Sequence, residues 1–432
     1  MKRTIIACFL LLPVTIYAQR QLSLHDAINI ALENSLNVKI AKSSVKIAGI
    51  NNSYGIAGGL PVITGSGTDI EQLTNINQKY SDATRNTMRN NVVSNNLSGG
   101  LNGSVILYNG SRIVTAKKRL DEIQQQTDQQ LISRTMLVAA NVMLKYYDII
   151  RQERYGKTLQ KSIAVSQKKL DIIKAQQGVG MANNADLYQA QVDLNTQTLA
   201  LQTQQLVIDQ DKTDLLTLLT LNPDSTVVII DTITVDKNIK LDTILNNIDN
   251  NPDIIVADQQ VQINRYIQRE ISAQRYPSLN FQGGYNVSRV QYAAGFTLLN
   301  QQLGPYMGMG LSVPIFNGTI YKRQEAIAGI NANIAQMQRD TLVLGYTANV
   351  IKNWQAYTNI LRQLETAQQN FELASKLLDL VLQRFQLRQN TILDVENAQQ
   401  SYENAANLLV NLEYAAKASE IQLKRIANRL DL

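Results

Sequence analysis

Thiol and imidazole are almost missing from this chain: among 432 residues there is one cysteine, Cys8, and one histidine, His25. Cys8 lies in an N-terminal stretch that reads as a secretory leader, so the mature protein is expected to have no disulfide, reactive thiol or cysteine-held metal. His25 has no nucleophile or ligand cluster near it in the sequence and reads as a capping or surface residue. There is no phosphate-binding glycine loop, no HExxH and no GxSxG. The expectation is therefore a protein that is not an enzyme and that uses no cofactor or metal. Apart from 18 tyrosines, aromatics are scarce, and proline occurs only seven times. Gln, Asn, Leu and Ala are abundant instead, a composition of long helices more than of a compact mixed core. Long apolar runs are also absent. Past the leader no stretch reaches the roughly 20 apolar residues of a spanning helix, so any entry into a membrane must be by strands. The formal charge is +6, and without Lys2 and Arg3 it leaves 39 basic against 35 acidic side chains. These are interspersed and form no nucleic-acid footprint.

The leader itself has a basic start at Lys2 and Arg3, a short apolar core over Ile5–Leu12, and a small residue at Tyr17-Ala18, which places cleavage after Ala18. Cys8 lacks the small-residue context of a lipid-attachment cysteine.

What is present is periodicity. Leu364, Ala367, Phe371, Ala374, Leu378, Val381 and Phe385 alternate steps of three and four, and so do Tyr402, Ala405, Leu409, Leu412, Ala416, Ser419, Leu423, Ile426 and Leu430. That period of 3.5 marks helices packed along an apolar seam. Arg388-Gln389-Asn390-Thr391 is the polar break between them, which makes a long helical hairpin with a tight tip. A second hairpin lies upstream. Arg112 to about Gln177 has no proline and one glycine, Gly156, and predicts a helix of roughly 100 Å at 1.5 Å per residue. Gly178-Val179-Gly180-Met181 ends it, and Asn183 or Asn184 caps a return helix with Leu187, Ala190, Leu194, Leu201, Ile208, Leu215 and Leu218 on its seam. A further helix is predicted over Leu22–Tyr54, with Ser23 as its cap.

Between these helices the period changes to two. Leu97, Gly99, Leu101, Gly103, Val105 and Leu107 alternate with polar or small residues, as do Leu279, Phe281, Gly283, Tyr285 and Val287, and Met307, Met309, Leu311 and Val313. Strands are expected near 60–74, 95–108, 277–292 and 305–316, with loops over Asn75–Asn91 and Ala293–Leu303. Val227–Val235 reads as a short accessory strand.

The chain is also duplicated. Leu24-His25-Asp26 and Asn34 match Leu241-Asp242-Thr243 and Asn251; Leu60-Pro61 matches Tyr276-Pro277; Leu107-Tyr108-Asn109-Gly110 matches Ile315-Phe316-Asn317-Gly318; Asp186–Gln191 matches Asp394–Gln399. The order is kept while the offset drifts only from 217 to 208. The expected organisation is a leader (1–18), a first helix–strand–strand–helix–helix repeat (19–222), an equatorial linker (223–240) and a second repeat (241–432).

Four amphipathic strands are too few to close a membrane barrel, since closed barrels usually have about eight or more and an open edge in lipid leaves backbone groups unpaired. Several chains contributing four strands each would close one, with the helices continuing as a tube. At this point the sequence resembles the TolC-like outer membrane efflux protein family over essentially all of the mature chain. The resemblance rests on the leader, the duplicated unit, Pro61 and Pro277 opening the first strand of each copy, the Tyr108-Asn109-Gly110 and Phe316-Asn317-Gly318 turns, and the two tips.

The resemblance implies a mainly α fold with membrane β: coiled-coil hairpins forming a periplasmic tunnel, and four strands per chain in a trimeric 12-stranded outer-membrane barrel. It implies a homotrimer in the outer membrane of a Gram-negative bacterium, contacting outer-membrane lipid, a periplasmic adaptor and an inner-membrane pump, and acting as a passive gated duct for small molecules. An exit duct for protein secretion shares this fold, and a periplasmic coiled-coil scaffold without a pore would explain the heptads alone. The adaptor-docking tips would be Gly178, Val179, Gly180 and Met181 with Leu387, Arg388, Gln389 and Thr391; Gly180 matches the family's tip glycine, whereas its counterpart is Arg388. The constriction would involve Asp186, Asp394 and Glu396. Asn397 stands where the family often has a second acid, and Asn390 and Phe385 stand where its closed-state latch has a basic and a tyrosyl residue. Three Asp394 carboxylates converging in a trimer would invite a cation, and Asp394 as a simple helix cap is the equal alternative.

Overall fold

The computed structural model describes residues 20–294 and 297–430. The leader, its cleavage point and Cys8 lie outside the described residues. The described chain forms two compact units, and each draws segments from both halves of the chain: residues up to 41, 132–251 and those from 344 onward in one, 42–131 and 252–343 in the other.

The chain opens with strand β1 (Arg20–Leu22) and helices α1 (Leu24–Asn34) and α2 (Leu36–Asn51). One helix was expected from Leu22 to Tyr54. Leu22 is instead held in a parallel pairing with Ile229 of β4 (Val227–Ile229), and the helix breaks at Ser35, whose ψ of 123° is extended. Asn and Ser compete for backbone hydrogen bonds and are weak helix formers, so Asn34-Ser35 is a natural place for the break. Ser23 does cap α1, accepting the Asp26 amide at 3.1 Å. The expected Val227–Val235 strand is short because only three residues find a partner.

After strands β2 (Val62–Gln78) and β3 (Thr87–Asn109), α3 (Arg112–Gly178) and α4 (Asn184–Leu218) make the first hairpin. Helices α5 (Leu241–Leu245) and α6 (Pro252–Ser272), strands β5 (Ser278–Tyr292) and β6 (Leu299–Ser312), and the second hairpin, α7 (Ile320–Gln386) and α8 (Ile392–Ile426), follow. Both outgoing helices are 67 residues and both return helices are 35. Among the described residues no helix is long and apolar enough to cross a membrane.

In the first unit the expected seams are the core. Ala367, Ala374, Leu378, Val381 and Phe385 on α7 and Tyr402, Ala405, Leu409, Ala416, Leu423 and Ile426 on α8 are buried. The α4 seam slips at its end: Leu218 is exposed and Leu215 and Leu219 are buried. A step of four replaces the expected step of three as α4 turns into its C-terminal cap. Two buried tyrosines pin the segment that follows. The Tyr146 hydroxyl lies 2.8 Å from the Leu22 carbonyl and 2.6 Å from the Asp231 carboxylate, which also accepts the Leu24 amide at 2.8 Å. Burial, then the Asp231 charge, raises its pKa, so it remains a hydroxyl donor. On α7 the Tyr357 hydroxyl donates to the Asp236 carbonyl. Glu420, 3% exposed, takes the Asp236 amide at 2.9 Å and the ammonium groups of Lys417 (2.9 Å) and Lys424 (3.0 Å).

In the second unit the strands form one antiparallel sheet in the order β2-β3-β5-β6, with β2 and β6 as open edges. The β2–β3 hairpin is longer than expected. Most of the Asn75–Asn91 stretch is strand, because its polar side chains stand outward on either side while the backbone pairs on from Ile76–Arg89 to Gln78–Thr87. The register shifts once, between Thr74 and Ile76. There Asn91 has φ 55° and its amide donates to the Asn75 side chain at 2.8 Å. At the other end β6 starts at Leu299, inside the expected loop, and stops at Ser312, short of residue 316. Pro314 has no amide to donate and ends the ladder, leaving Ile315 94% and Phe316 82% exposed. On the helical side of this unit, Arg119 bridges to Glu270 at 2.5 Å, and Asn52 donates to Asp121 and Gln124 at 2.8 and 2.7 Å.

Candidate functional site

The tips are built alike from unlike sequences. At the first, Gly180 has φ 73° and the Met181 amide reaches back to the Gln176 carbonyl at 2.8 Å. At the second, Arg388 has φ 63° and the Gln389 amide reaches the Arg384 carbonyl at 2.9 Å. This six-to-one closure around a left-handed residue is the usual helix stop, and glycine is favoured there because it has no Cβ. Gly180 and Arg388 are thus conformational equivalents, as their alignment implies. A methyl group at Gly180 would meet nothing within 4 Å, so Gly180→Ala isolates the backbone penalty, about 1 kcal/mol. The melting temperature is expected to fall for Gly180→Ala and to rise for Arg388→Gly, apart from the loss of the contact that Arg388 makes with the Met181 sulfur.

All eight expected docking residues, Gly178, Val179, Gly180, Met181, Leu387, Arg388, Gln389 and Thr391, are exposed. Beyond them each return helix opens with a capping box. Asn183 accepts the Asp186 amide at 2.8 Å, and Thr391 accepts the Asp394 amide at 3.2 Å. Asp394 in turn accepts the Thr391 amide (2.8 Å) and hydroxyl (2.9 Å), which hold its carboxyl below the usual carboxylate range. Within one chain, then, Asp394 works as a cap. Asn390 lies within reach of it, Asn397 is exposed, and Phe385 is not presented at the surface. Phe385 is 4% exposed and packs among Ile173, Val381, Val395 and Ala398.

Glu396 leads to a residue that sequence reading missed. Lys169 on α3 is fully buried, and its ammonium sits between two carboxylates, Asp193 on α4 and Glu396 on α8, the latter at 3.1 Å. Burial alone would raise the Asp193 pKa, yet the Lys169 ammonium, together with hydrogen bonds to Glu396 and Gln189, outweighs it and the carboxyl is lowered. Lys169 ends a buried polar stripe, Thr158, Ser162 and Ser166, that faces Gln399 of α8, with Ser166 and Gln399 3.3 Å apart. The signal was in the spacing: a lysine at helical step from Ser162 and Ser166 occupies a seam position where a coiled coil wants an apolar side chain.

The sheet's two faces differ in chemistry. Following the register from β6 through β5 and β3 to β2, one face has the rows Met307, Gly283, Gly103, Ile63; Pro305, Tyr285, Leu101, Gly65; and Leu303, Val287, Gly99, Gly67. Below them lie Phe281 beside Met309 and Leu279 beside Leu311. These side chains stand in solvent, Met307 at 83% and Ile63 at 75% exposed. The opposite face carries Thr64, Ser66 and Thr68, Asn96, Ser98 and Asn102, Asn280, Gln282, Asn286 and Ser288, and Asn300 and Gln302. Among the described residues no cluster of His, Cys, Asp or Glu is suited to hold a metal.

Residues 244–429 match the family model described as outer membrane efflux protein. No curated protein matches the chain. Several solved structures do. The outer membrane protein VceC from Vibrio cholerae is 17% identical with a TM-score of 0.74, and the match covers 94% of this chain and 95% of that one. The Campylobacter jejuni CmeC outer membrane channel is 17% identical with a TM-score of 0.78, covering 94% and 85%. The Neisseria gonorrhoeae MtrE outer membrane channel, in its open state, is 16% identical with a TM-score of 0.73, covering 94% and 88%. Residues 244–429 thus carry an outer membrane efflux protein domain, and the described chain has the fold of TolC-like outer-membrane channels.

Proposed function

We propose that this protein is the outer-membrane exit duct of a tripartite efflux system: a homotrimer that closes its strands into a 12-stranded barrel and joins a periplasmic adaptor and an inner-membrane pump, passively carrying small molecules outward. The two-faced sheet carries this reading. Its five apolar rows, from Leu279 to Val287 on β5, span about 27 Å at ~3.4 Å per residue, close to the apolar band of outer-membrane barrels, about 25 Å tall. Open edges at β2 and β6 in that band would leave backbone groups unpaired in lipid, so the sheet calls for partners at both edges.

The helices call for partners as well. Leu373, Leu377 and Leu380 on α7, and Tyr188, Val192, Leu199 and Leu206 on α4, follow a 3.5-residue period yet are all exposed in the single chain. Two different seams, one from each repeat, favour head-to-tail contacts that close into a ring. The mature chain in this reading starts after Ala18, its two repeats each supply a hairpin and two strands, and the 223–240 segment forms the equatorial belt. The tips dock the adaptor, and three Asp394 caps, with Glu396 behind them, stand at the narrow end.

Cells deleted for the gene are expected to accumulate a dye expelled by their pumps, and the intact chain to restore its export. A chain shortened at residues 179–182 is expected to assemble and to leave export lost. Export at the full level by the shortened chain would contradict docking at the tips.

A further inference from the structure

The polar face of the sheet holds one aromatic side chain among aliphatic, amide and hydroxyl ones. Five rows of it run from Val62, Ser104, Gln282 and Gly308 to Ile70, Asn96, Val290 and Asn300. None of the side chains in these rows is charged: Asp69, Glu71 and Arg289 register on the other face, and the remaining paired charge, Arg89, sits opposite Ile76, outside these rows and beyond the register shift. Tyr306 is the only aromatic in the five rows. It is in register with Gly284 on β5, Asn102 on β3 and Thr64 on β2. Its hydroxyl donates to the Asn102 side-chain oxygen at 2.5 Å. Adjacent strands are about 4.8 Å apart, so a side chain that starts on β6 and bonds to one on β3 must lie along the wall, over the strand between.

Glycine makes that posture available. A Cβ at Gly284 would stand 3.0 Å from the Tyr306 ring and 2.1 Å from the Leu101 carbonyl oxygen. Gly304 and Gly308, two residues to either side of Tyr306 on its own strand, have nothing within 4 Å of where a Cβ would be. An aromatic ring laid over a cross-strand glycine also covers the backbone that glycine exposes.

We propose that Tyr306, laid across Gly284 and held by Asn102, sets the clearance of the strand-walled section of the duct, which sorts cargo by size and not by charge. The proposal rests on the duct reading, in which the polar face lines the lumen. Symmetry places one such ring per chain at a single level of the barrel. Held to the wall, the rings leave the bore open; released, they narrow it.

The test is polymer exclusion with the full-length protein in planar bilayers. Neutral polyethylene glycols of graded size are added on the side of the strand hairpins, and the largest polymer that lowers conductance is recorded. Asn102→Ala, which removes the acceptor, is expected to shift the limit to smaller polymers than the wild type admits. Tyr306→Ala is expected to shift it to larger ones, and the double variant Asn102→Ala/Tyr306→Ala to match Tyr306→Ala. That rescue separates a released ring from general damage at Asn102. A conducting wild type with the same limit in all four proteins would overturn the role of Tyr306 alone. A wild-type protein that forms no channel would overturn the duct itself.

Discussion

Leu377→Glu/Leu380→Glu is expected to reduce the assembled particle to single, folded chains. Both leucines lie on α7 and are 46% and 47% exposed in the single chain, on a stripe that flanks the buried Leu378 and Val381. The hairpin therefore forms its own core without them, and helix content by circular dichroism should stay unchanged. In a ring of chains each would be covered by a neighbour. Burying a leucine contributes about 1.5–3 kcal/mol, and a carboxylate in the same place must be desolvated without a partner, which costs several kcal/mol more. Every interface of the ring carries the pair, so the loss is multiplied by symmetry. Light scattering in detergent should give the mass of one chain. An unchanged assembly would show that this stripe faces solvent in the particle.

The second large effect is expected at Lys169. Lys169→Ala should destabilise the tip half of the hairpins by about 3 kcal/mol, the scale for removing one partner of a buried ion pair and leaving the other charges behind. Asp193 and Glu396 are 21% and 32% exposed, so neither carboxylate regains full hydration when the ammonium is gone. The triple variant Lys169→Met/Asp193→Leu/Glu396→Leu should recover most of the loss, because replacing the whole ionic group with apolar side chains removes the desolvation penalty too.

The pH dependence reverses between the two proteins. In the wild type the Asp193 pKa is lowered, so its contribution is present above the ordinary carboxylate range and is lost as pH falls through the lowered value. In Lys169→Ala burial is opposed only by the hydrogen bonds to Gln189 and Glu396, with no positive charge beside the carboxyl. The carboxyl pKa then rises, and stability should increase as mild acid protonates it. Urea melts of the variant at neutral and mildly acidic pH read this directly. A wild-type-like slope would mean that Lys169 does not compensate these charges.

The long hairpins were legible in the sequence because a coiled seam repeats its demand every three or four residues. A single misfit such as Leu218 leaves the rest of the pattern in place. The strands were legible for the same reason, since apolar and small residues alternate on one face. Their ends were less so. Asn75–Asn91 is polar enough to read as loop, and what makes it strand is backbone pairing with itself, which no side-chain pattern records. Pro314, by contrast, could have placed the end of β6, because it removes the amide the ladder needs.

At the tips the sequence pointed to the right turns, and the left-handed Arg388 shows that the backbone conformation is retained where the glycine is not. Lys169 was passed over because a lysine on a helix reads as solvated. Its partners come from 24 and 227 residues away, and only the fold brings them together. Tyr306 was hidden likewise: its meaning depends on Gly284 and Asn102, which become its neighbours only once the register of three strands is fixed.

The most direct test of the central claim is the oligomeric mass and image of the protein extracted from outer membranes in mild detergent. The account predicts a particle of three chains, about three times the 48.2 kDa of the full sequence less its leaders, with its strands closed into a ring. A single chain or a dimer soluble without detergent would contradict it, and would leave the exposed seams and the two-faced sheet to some other partner.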